Sequence, residues 1–251
     1  MPSAAAASPT GLSSSSGPAL RRSPTTPEHL PPIGRFIVFE GLDGAGKSTQ
    51  ARAFRLRLRR RGIEALLTRE PGGTPLGRIL RRLIVDRRYP VTAEAELLLI
   101  AAARAQLMSH VVRPRLAQGG VVVADRYTPS TWAYQGAGRG ISADRIAATI
   151  ALATSGLEPD LIVLLDLPPE IGFQRIAAGR HRPRGLSRFE SQPLEFTQRV
   201  RQSYLDQAAA SATRWLVLDA QQPPRTLSRL IWDASQRFLN GLGKGGVAQA
   251  R

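Results

Sequence analysis

The sequence predicts an α/β fold: a three-layer sandwich in which a five-stranded parallel sheet is covered by helices on both faces. Apolar, strand-like runs alternate with helical patterns along residues 35–239, and this alternation is typical of a parallel sheet with crossover helices. The runs at 121–125 and 161–166 are almost wholly apolar, as expected for strands that are buried on both faces. A glycine-rich turn at 41–48 joins the first strand to the first helix.

Strands are predicted where short apolar runs lie between turn residues. The first begins at Arg35 and ends at the glycine-rich turn, the second follows Gly62, and the third follows Gly119-Gly120. The predicted strands are 35–40, 63–68, 121–125, 161–166 and 215–218.

Helices are predicted where apolar residues recur at helical spacing. Ala51, Phe54 and Leu58 form such a stripe in the first helix. Gly62 ends this helix, because glycine readily adopts the left-handed conformation of a helix end. The predicted helices are about 46–61, 75–87, 92–117, 142–154, 193–211 and 225–239, and a further helix begins at 168–170.

The composition of the chain excludes several kinds of site and several classes of protein. The chain of 251 residues is long enough for one full α/β domain. It contains no cysteine, which excludes disulfides, thiol catalysis and thiolate zinc sites. Its three histidines are far apart in sequence, so they do not predict a zinc site. No apolar run is expected to reach the length that spans a bilayer, so no membrane association is expected.

The net charge of +16 is carried almost wholly by arginine, since Lys47 and Lys244 are the only lysines. This charge allows nucleic-acid binding. It suits equally an enzyme with polyanionic nucleotide substrates, or a chain with arginine on solvated faces. No zinc finger, repeat or aromatic-rich RNA-binding motif accompanies it, so no nucleic-acid partner is expected.

Both ends of the chain are predicted to lie outside the packed core. Residues 1–32 are rich in alanine, serine and proline, and we expect a disordered tail, because they cannot bury enough apolar area to offset chain entropy. The tail is poor in acidic residues, as organelle transit peptides are, but an untargeted extension or a mis-assigned start is the favoured interpretation. Residues 241–251 are expected to fray, which leaves one domain at 33–240.

The glycine-rich turn has the P-loop pattern of Gly41, four residues, then Gly46-Lys47-Ser48. Its glycines let backbone N–H groups approach phosphate oxygens, and the following helix points its positive end at the same phosphates. Lys47 is expected to reach the β- and γ-phosphates of ATP, the phosphate donor. The residues expected to bind ATP are Gly41, Leu42, Asp43, Gly44, Ala45, Gly46, Lys47, Ser48 and Thr49.

A Mg²⁺ ion is expected beside the P-loop. The hydroxyl of Ser48 occupies the usual P-loop ligand position. Four apolar residues followed by Asp125 resemble the acidic motif that ends a second strand in P-loop enzymes. Ser48 and Asp125 are therefore the candidate metal ligands.

Arginines at three places predict a second anionic substrate. Arg69 and Arg126 follow the second and third strands, at the sheet edge where ligands bind. Arg104 lies on an otherwise apolar side of the helix at 92–117, so it either has an anionic partner or extends to the rim. Two anions beside Mg²⁺ imply phosphoryl transfer. A phosphate-monoester acceptor requires no general base, because its second pKa is about 6.

A mobile lid is predicted at about 178–192. Arginines crowd this part of the chain, and their mutual repulsion disfavours a closed structure until a polyphosphate binds. A solvated basic loop is the alternative. The arginines in question are Arg175, Arg180, Arg182, Arg184 and Arg188.

Residues 34–240 resemble bacterial thymidylate kinase along almost their whole length. The most specific segments are Thr68-Arg-Glu-Pro-Gly-Gly-Thr74 and Asp125-Arg-Tyr127, and segments 39–48, 101–106, 133–136 and 159–160 also match. The resemblance implies a P-loop kinase that transfers the γ-phosphate of ATP to dTMP, giving dTDP, with Mg²⁺. It also implies a homodimer in the cytoplasm, or in an organelle if the tail is a transit peptide.

The resemblance further implies the acceptor site. Asp43 is expected near the acceptor phosphate and the 3′-hydroxyl, Arg126 on that phosphate, and Tyr134 against the deoxyribose. Arg104 and Thr131 are expected to contact thymine. The full substrate-binding set implied is Asp43, Arg69, Ile100, Arg104, Arg126, Thr131, Tyr134 and Gln135.

The catalytic set implied by the family includes an arginine from the lid. Other members carry a catalytic arginine either in the P-loop or in the lid, and Gly44 occupies the P-loop place here. The implied catalytic residues are Lys47, Asp43, Arg126, Arg184 and Arg188.

Two positions depart from the family pattern. Ile100 stands where an aromatic side chain commonly stacks on thymine; stacking is worth about 1–3 kcal/mol per base, so weaker dTMP binding is expected. The lid sequence Ser187-Arg188-Phe189-Glu190 replaces Asp-Arg-x-Glu.

Two alternatives stay open from the sequence. The first is a kinase for another nucleotide or for a deoxynucleoside, in which Glu40 would serve as the base at a 5′-hydroxyl. The second is a non-catalytic, nucleotide-gated nucleic-acid binder that uses the net charge of +16.

Overall fold

The computed structural model describes residues 34–178 and 187–240. A five-stranded sheet, parallel at every pairing, runs through these residues in the order β2-β3-β1-β4-β5. The α/β fold predicted from the alternation of elements is confirmed. The strands are β1 Arg35–Gly41, β2 Ala65–Arg69, β3 Val121–Asp125, β4 Leu161–Asp166 and β5 Trp215–Asp219.

The strand order places the P-loop at the switch point of the sheet. From β1 the chain crosses to the β2 edge, and after β3 it crosses to the other side of β1, where β4 lies. Ligands bind in open α/β sheets at the carboxyl end of the strand where this direction reverses. That position is the end of β1, where the glycine-rich turn begins.

Nine α-helices and two π-helical turns accompany the sheet in the described residues. The π-helical turns are Met108–Val112, between α3 and α4, and Trp132–Gly138, directly after α5. The helices are α1 Lys47–Arg60, α2 Pro75–Val85, α3 Ala93–Leu107, α4 Arg113–Ala117, α5 Thr128–Thr131, α6 Ala143–Thr154, α7 Pro169–Ala178, α8 Leu194–Ala210 and α9 Pro224–Leu239.

Both faces of the sheet are covered, because alternate strand residues enter different cores. On one face Phe39 packs with Phe54 of α1, which contacts Trp232 of α9. On the other face Phe36 packs edge-on against Tyr127, in a core that the helix ending at Leu107 completes.

Two expectations about helices were wrong. The segment from Thr128 to Gly138 is helical although no helix was predicted there, because its proline, serine, threonine and glycine residues have low helix propensity. The helix Ala93–Ala117 does reach a length and hydropathy sufficient to cross a bilayer. It packs inside the fold, with 44% of its most apolar window buried.

The predicted tail at 1–32, the end at 241–251 and the centre of the predicted lid at 179–186 lie outside the described residues.

Candidate active site

The loops after β1, β2 and β3 surround a cavity of about 1350 Å³. Pairing in register places Phe39 and Arg69 on either side of Asp125, so the three strand ends lie together. Helix α2 supplies a further wall, and so do Ser187, Phe189 and Glu190. Sites for one drug-sized ligand occupy roughly 300–1,000 Å³, so the cavity has room for two nucleotides.

The P-loop depends on glycine at positions where a side chain has no room. Gly41 has φ +134°, and a Cβ there would lie 2.4 Å from the carbonyl oxygen of Leu165. At Gly44, with φ +83°, a Cβ would lie 2.7 Å from the carbonyl oxygen of Gly172 on α7. The close approach of α7 therefore excludes an arginine from position 44 in this structure.

Lys47 is the first residue of α1 and lies buried under the P-loop, with 6% of its surface exposed. Its Nζ donates to the carbonyl oxygen of Leu42 at 2.8 Å and lies 3.7 Å from Oδ1 of Asp43. Burial, and then the charge of Arg126, lower the pKa of Lys47 to about 8. Lys47 is thus held at the floor of the turn by the turn itself.

Ser48 and Asp125 adjoin each other, as a shared metal site requires. The Ser48 hydroxyl donates a hydrogen bond to Oδ2 of Asp125. No cluster of three or more histidine, cysteine or acidic side chains forms a metal cage anywhere in the described residues. Such a sparse oxygen set fits Mg²⁺, which binds through one or two carboxylates together with substrate phosphates and water.

Arg126 connects β3 to the P-loop. It has a φ of +81°, an uncommon conformation for a side-chain-bearing residue that often marks functional sites. Its Nη2 donates to Oδ1 of Asp43 at 2.7 Å and to the Tyr134 hydroxyl at 3.1 Å. Its Nη1 donates at 3.0 Å to Ser130 and, at the same distance, to Tyr204. Although burial opposes it, the charges of Arg126 and Lys47 lower the pKa of Asp43 to about 2.

Glu40 supports Arg126 from below and does not line the cavity. It is fully buried, and burial raises its pKa. Its carboxylate accepts from the Tyr127 backbone N–H at 2.8 Å, from Ser130 at 2.7 Å and from the Tyr204 hydroxyl at 2.9 Å. This geometry disfavours Glu40 as the base of a deoxynucleoside kinase, because its carboxylate is fully buried, accepts from protein groups on both oxygens and does not line the cavity.

Arg104 has the anionic partner that its buried position requires. Only 2% of it is exposed, and its Nε donates to Oε2 of Glu70 at 2.6 Å. Its Nη1 and Nη2 donate to Thr131 at 2.9 Å and to the Tyr127 carbonyl oxygen at 3.1 Å. Burial raises the pKa of Glu70 to about 6 in spite of Arg104. Arg104 does not extend to the rim; it forms part of the cavity wall.

A cluster of guanidinium groups marks the cavity beside the P-loop. Arg69 is exposed on the wall, and Arg81 of α2 reaches the same wall while its Nη1 donates to the Pro71 carbonyl oxygen at 3.1 Å. Burial, together with the charges of Arg69 and Arg126, lowers the pKa of Arg81. Because these neighbouring cations repel one another, an anion such as phosphate would bind favourably between them.

The other residues expected at the acceptor site also line the cavity. The Arg126 guanidinium lies 4.9 Å from the centre of the Tyr134 ring. The Nε2 group of Gln135 donates to Glu96 at 2.7 Å. Ile100 is 7% exposed and contributes an aliphatic wall at the position expected for an aromatic ring.

Arg188 was expected to act in the lid, but it does not line the cavity in this structure. Its Nη2 donates to Oε2 of Glu96 at 2.6 Å, and its Nη1 donates to the Val91 carbonyl oxygen at 3.1 Å. In this structure it therefore forms a partly buried ion pair. Arg184 lies outside the described residues, so its catalytic role stays a prediction.

In the turn Ser187-Arg188-Phe189-Glu190, Ser187 and Glu190 exchange hydrogen bonds in the pattern of a capping box, although no helix begins there. The backbone N–H of Ser187 donates to Oε2 of Glu190 at 2.8 Å, and the N–H of Glu190 donates to the Ser187 hydroxyl at 3.3 Å. Serine and aspartate are both good acceptors at such a position. Ser187 therefore fills the capping role that an aspartate can fill.

A family model described as thymidylate kinase matches residues 39–231. The chain belongs to the thymidylate kinase family. It is 48% identical over 198 residues to thymidylate kinase of Pseudomonas putida (strain W619), covering 78% of this chain and 93% of that protein. It is also 48% identical over 201 residues to thymidylate kinase of Deinococcus radiodurans, covering 80% and 96%.

A solved structure has the same fold. Thymidylate kinase from Ehrlichia chaffeensis superposes with a TM-score of 0.67 at 28% identity, covering 82% of this chain and 100% of that one. The resemblance to bacterial thymidylate kinase that the motifs indicated is thus confirmed for fold and family.

Some residues of this thymidylate kinase site were not anticipated from the sequence. Glu70 and Glu96 bind Arg104 and Gln135, and Arg81 joins the arginine cluster. A signal for Glu96 did exist, because it lies one helical turn before Ile100 and two before Arg104. A carboxylate at that spacing shares the predicted buried face.

Proposed function

We infer that this chain transfers a phosphoryl group from ATP to dTMP, forming dTDP on the route to dTTP. The observation that carries the inference is the single cavity that joins a P-loop to Arg104 and Arg126. Membership of the thymidylate kinase family indicates that dTMP is the phosphate acceptor.

The acceptor end of the cavity offers one group for each part of dTMP. Arg126 presents a guanidinium to the phosphate, and Tyr134, bonded to it at 3.1 Å, lies against the sugar. The charge of Arg104 is balanced by Glu70. Its remaining N–H groups can donate to an uncharged acceptor, such as a ring carbonyl of thymine. In this assignment Arg104 recognises the base, and Arg126 binds the phosphate.

The donor end holds the polyphosphate of ATP. Backbone N–H groups of residues 41–49 and the positive end of α1 face it, and Lys47 neutralises the transferring group. Ser48 and Asp125 would hold Mg²⁺, which supplies charge neutralisation for the donor phosphates when bound. Asp43 stands between the two ends and keeps Lys47 and Arg126 oriented.

No general base is part of this proposal. The acceptor oxygen belongs to a phosphate monoester that is already largely ionised near neutral pH, since its second pKa is about 6. The chain's contribution is positioning and charge stabilisation. The inaccessibility of Glu40 is consistent with this assignment.

A homodimer in the cytoplasm completes the proposal. Large apolar side chains are exposed on α2, α3 and α6, which pack side by side: Leu98 is 63% exposed and Leu152 is 84% exposed. Such a surface favours association. Analytical ultracentrifugation tests it, because a monomer at micromolar concentration would contradict the proposal.

A coupled assay for ADP release tests the function. The purified protein with Mg²⁺ and ATP is given dTMP, dUMP, dCMP, dGMP, AMP and thymidine in turn. Turnover that is fastest with dTMP supports the proposal. Turnover with thymidine alone would indicate a deoxynucleoside kinase, and no turnover with any acceptor would contradict a kinase function.

A further inference from the structure

Glu96 is a buried carboxylate that the phosphoryl transfer described above does not use. It lies in the first turn of α3 with 1% of its surface exposed. Its Oε2 accepts from Arg188 at 2.6 Å and from Arg139 at 3.1 Å. Its Oε1 accepts from Nε2 of Gln135 at 2.7 Å. One side chain thus joins α3, the π-helical turn and residues 187–192.

The two arginines determine the chemistry of this carboxylate. Arginine N–H groups donate to both oxygens of Glu96, and a carboxylate in such an ion pair only accepts hydrogen bonds. The amide of Gln135 can therefore face Glu96 only with its NH₂ group. The orientation of a glutamine amide is assigned from such networks, and here the network permits one assignment.

This orientation leaves the carbonyl oxygen of Gln135 as the free end of the side chain. Within the described residues, Oε1 of Gln135 has no hydrogen-bond partner, and Gln135 lines the cavity together with Arg104 and Thr131. Arg104 donates three of its N–H groups to Glu70, Thr131 and the Tyr127 carbonyl oxygen. The cavity wall thus combines N–H donors from Arg104 with an acceptor from Gln135.

We propose that Glu96 is a positioning residue for base specificity, because it fixes the Gln135 amide with its acceptor towards the acceptor nucleotide. The proposal rests on the dTMP kinase function inferred above. A pyrimidine that presents a carbonyl oxygen next to a ring N–H, as thymine and uracil do, matches a donor beside an acceptor. Cytosine presents an amino group next to an unprotonated ring nitrogen, so both of its groups meet the wrong partner.

Glu96 contributes to base specificity because it makes the rotated orientation of the Gln135 amide unfavourable. A rotated Gln135 would offer its NH₂ group to the cytosine ring nitrogen. The same rotation would turn the Gln135 carbonyl oxygen towards the Glu96 carboxylate, where two acceptors would face each other in a buried site. A site of buried, fixed polar groups rejects a ligand that leaves them unpaired.

The test compares acceptor specificity rather than activity alone. The ratio of kcat/KM for dTMP to kcat/KM for dCMP is measured in the full-length protein and in Glu96→Gln, whose neutral amide accepts either orientation of Gln135. We expect the ratio to fall by at least about tenfold, the value of one misdirected hydrogen bond. The matched control is Glu94→Gln on the same helix, whose carboxylate is exposed and pairs with Arg145 at 3.5 Å; its ratio should not change.

A purely structural role for Glu96 gives a different result. Loss of the ion pairs alone would lower kcat/KM for dTMP and dCMP by the same factor, and an unchanged ratio in folded Glu96→Gln overturns the proposal. If that variant fails to fold, Glu96→Asp decides, because it keeps a carboxylate beside Arg139 and Arg188 but withdraws it from Gln135 by one methylene group. An unchanged ratio in folded Glu96→Asp is equally contradictory. Absence of dTMP turnover in the unmodified protein would instead refute the kinase function itself.

Discussion

Arg126 donates to Asp43 across 2.7 Å, and this ion pair ties the end of β3 to the P-loop. Asp43 also lies 3.7 Å from Nζ of Lys47, so one carboxylate orients a cation on the proposed acceptor side and a cation on the proposed donor side. Groups that are held in place before the substrates bind need little reorganisation during phosphoryl transfer. The pair therefore sets the geometry in which the two phosphates meet.

Arg126→Ala should raise the KM for dTMP by about 10- to 100-fold, because hydrogen bonds to charged groups contribute about 1.5–3 kcal/mol. The KM for ATP should change far less, since Arg126 lies on the acceptor side. Steady-state kinetics with each substrate varied in turn measures both effects. Arg126→Lys is the control, and it should recover only part of the loss, because a lysine lacks the planar fork of donors. Equal increases in both KM values would place Arg126 outside the acceptor site.

Lys47 makes the reaction sensitive to alkaline pH. Burial and Arg126 lower its pKa to about 8, so the cationic form predominates below that pH and is lost as pH rises through it. We expect kcat/KM for ATP, which reports the free enzyme, to fall above about pH 8. In Lys47→Arg the fall should move to higher pH, because arginine stays protonated. Lys47→Ala should abolish turnover at every pH, and retention of most activity would contradict the role of the P-loop.

Variants of the Arg104–Glu70 pair can distinguish its effect on folding stability from its effect on dTMP binding. Glu70→Ala leaves a guanidinium that is 2% exposed without its counter-charge, and loss of one partner of a buried ion pair typically costs about 3–5 kcal/mol of unfolding free energy. The double variant Arg104→Met/Glu70→Leu should recover much of that stability, because apolar residues pack well where an ion pair was buried.

The double variant should still bind dTMP poorly, since it lacks the donors that we propose for thymine. Urea unfolding measures the first effect, and the KM for dTMP measures the second. A double variant with a normal KM for dTMP would show that Arg104 serves stability alone.

How far the sequence predicts this site depends on how local each interaction is. Gly41, Lys47 and Asp125 follow from short motifs beside predicted strands, and the structure places all three at one edge of the sheet. The partner of Arg104 could not be predicted, because Glu70 lies 34 positions away and the pairing depends on the tertiary packing that brings α3 to the residue after β2. The same holds for Glu96, which lies 39 positions from Gln135 and 92 from Arg188.

The π-helical turn at Trp132–Gly138 was missed for a related reason. Its glycines have low helix propensity, so tertiary packing decides its conformation. Phe196 of α8 packs tightly against it, since a Cβ on Gly138 would lie 2.6 Å from the Phe196 ring. Glycine at that position indicates close packing, which a sequence pattern alone does not distinguish from a loop.

An experiment can decide whether Arg184 or Arg188 is the catalytic arginine expected from the lid. Arg188 pairs with Glu96 at 2.6 Å, so Arg188→Ala should lower the melting temperature by about 2–10 °C, the shift expected from losing a charged hydrogen bond in a domain of this size. Arg184→Ala should leave the melting temperature unchanged and lower kcat by about 10³-fold or more, as loss of an arginine that contacts a transferring phosphate does. Thermal unfolding and single-turnover kinetics on both variants provide the comparison. A large fall in kcat for Arg188→Ala at unchanged melting temperature would instead mean that Arg188 leaves Glu96 during turnover and contacts the phosphate itself.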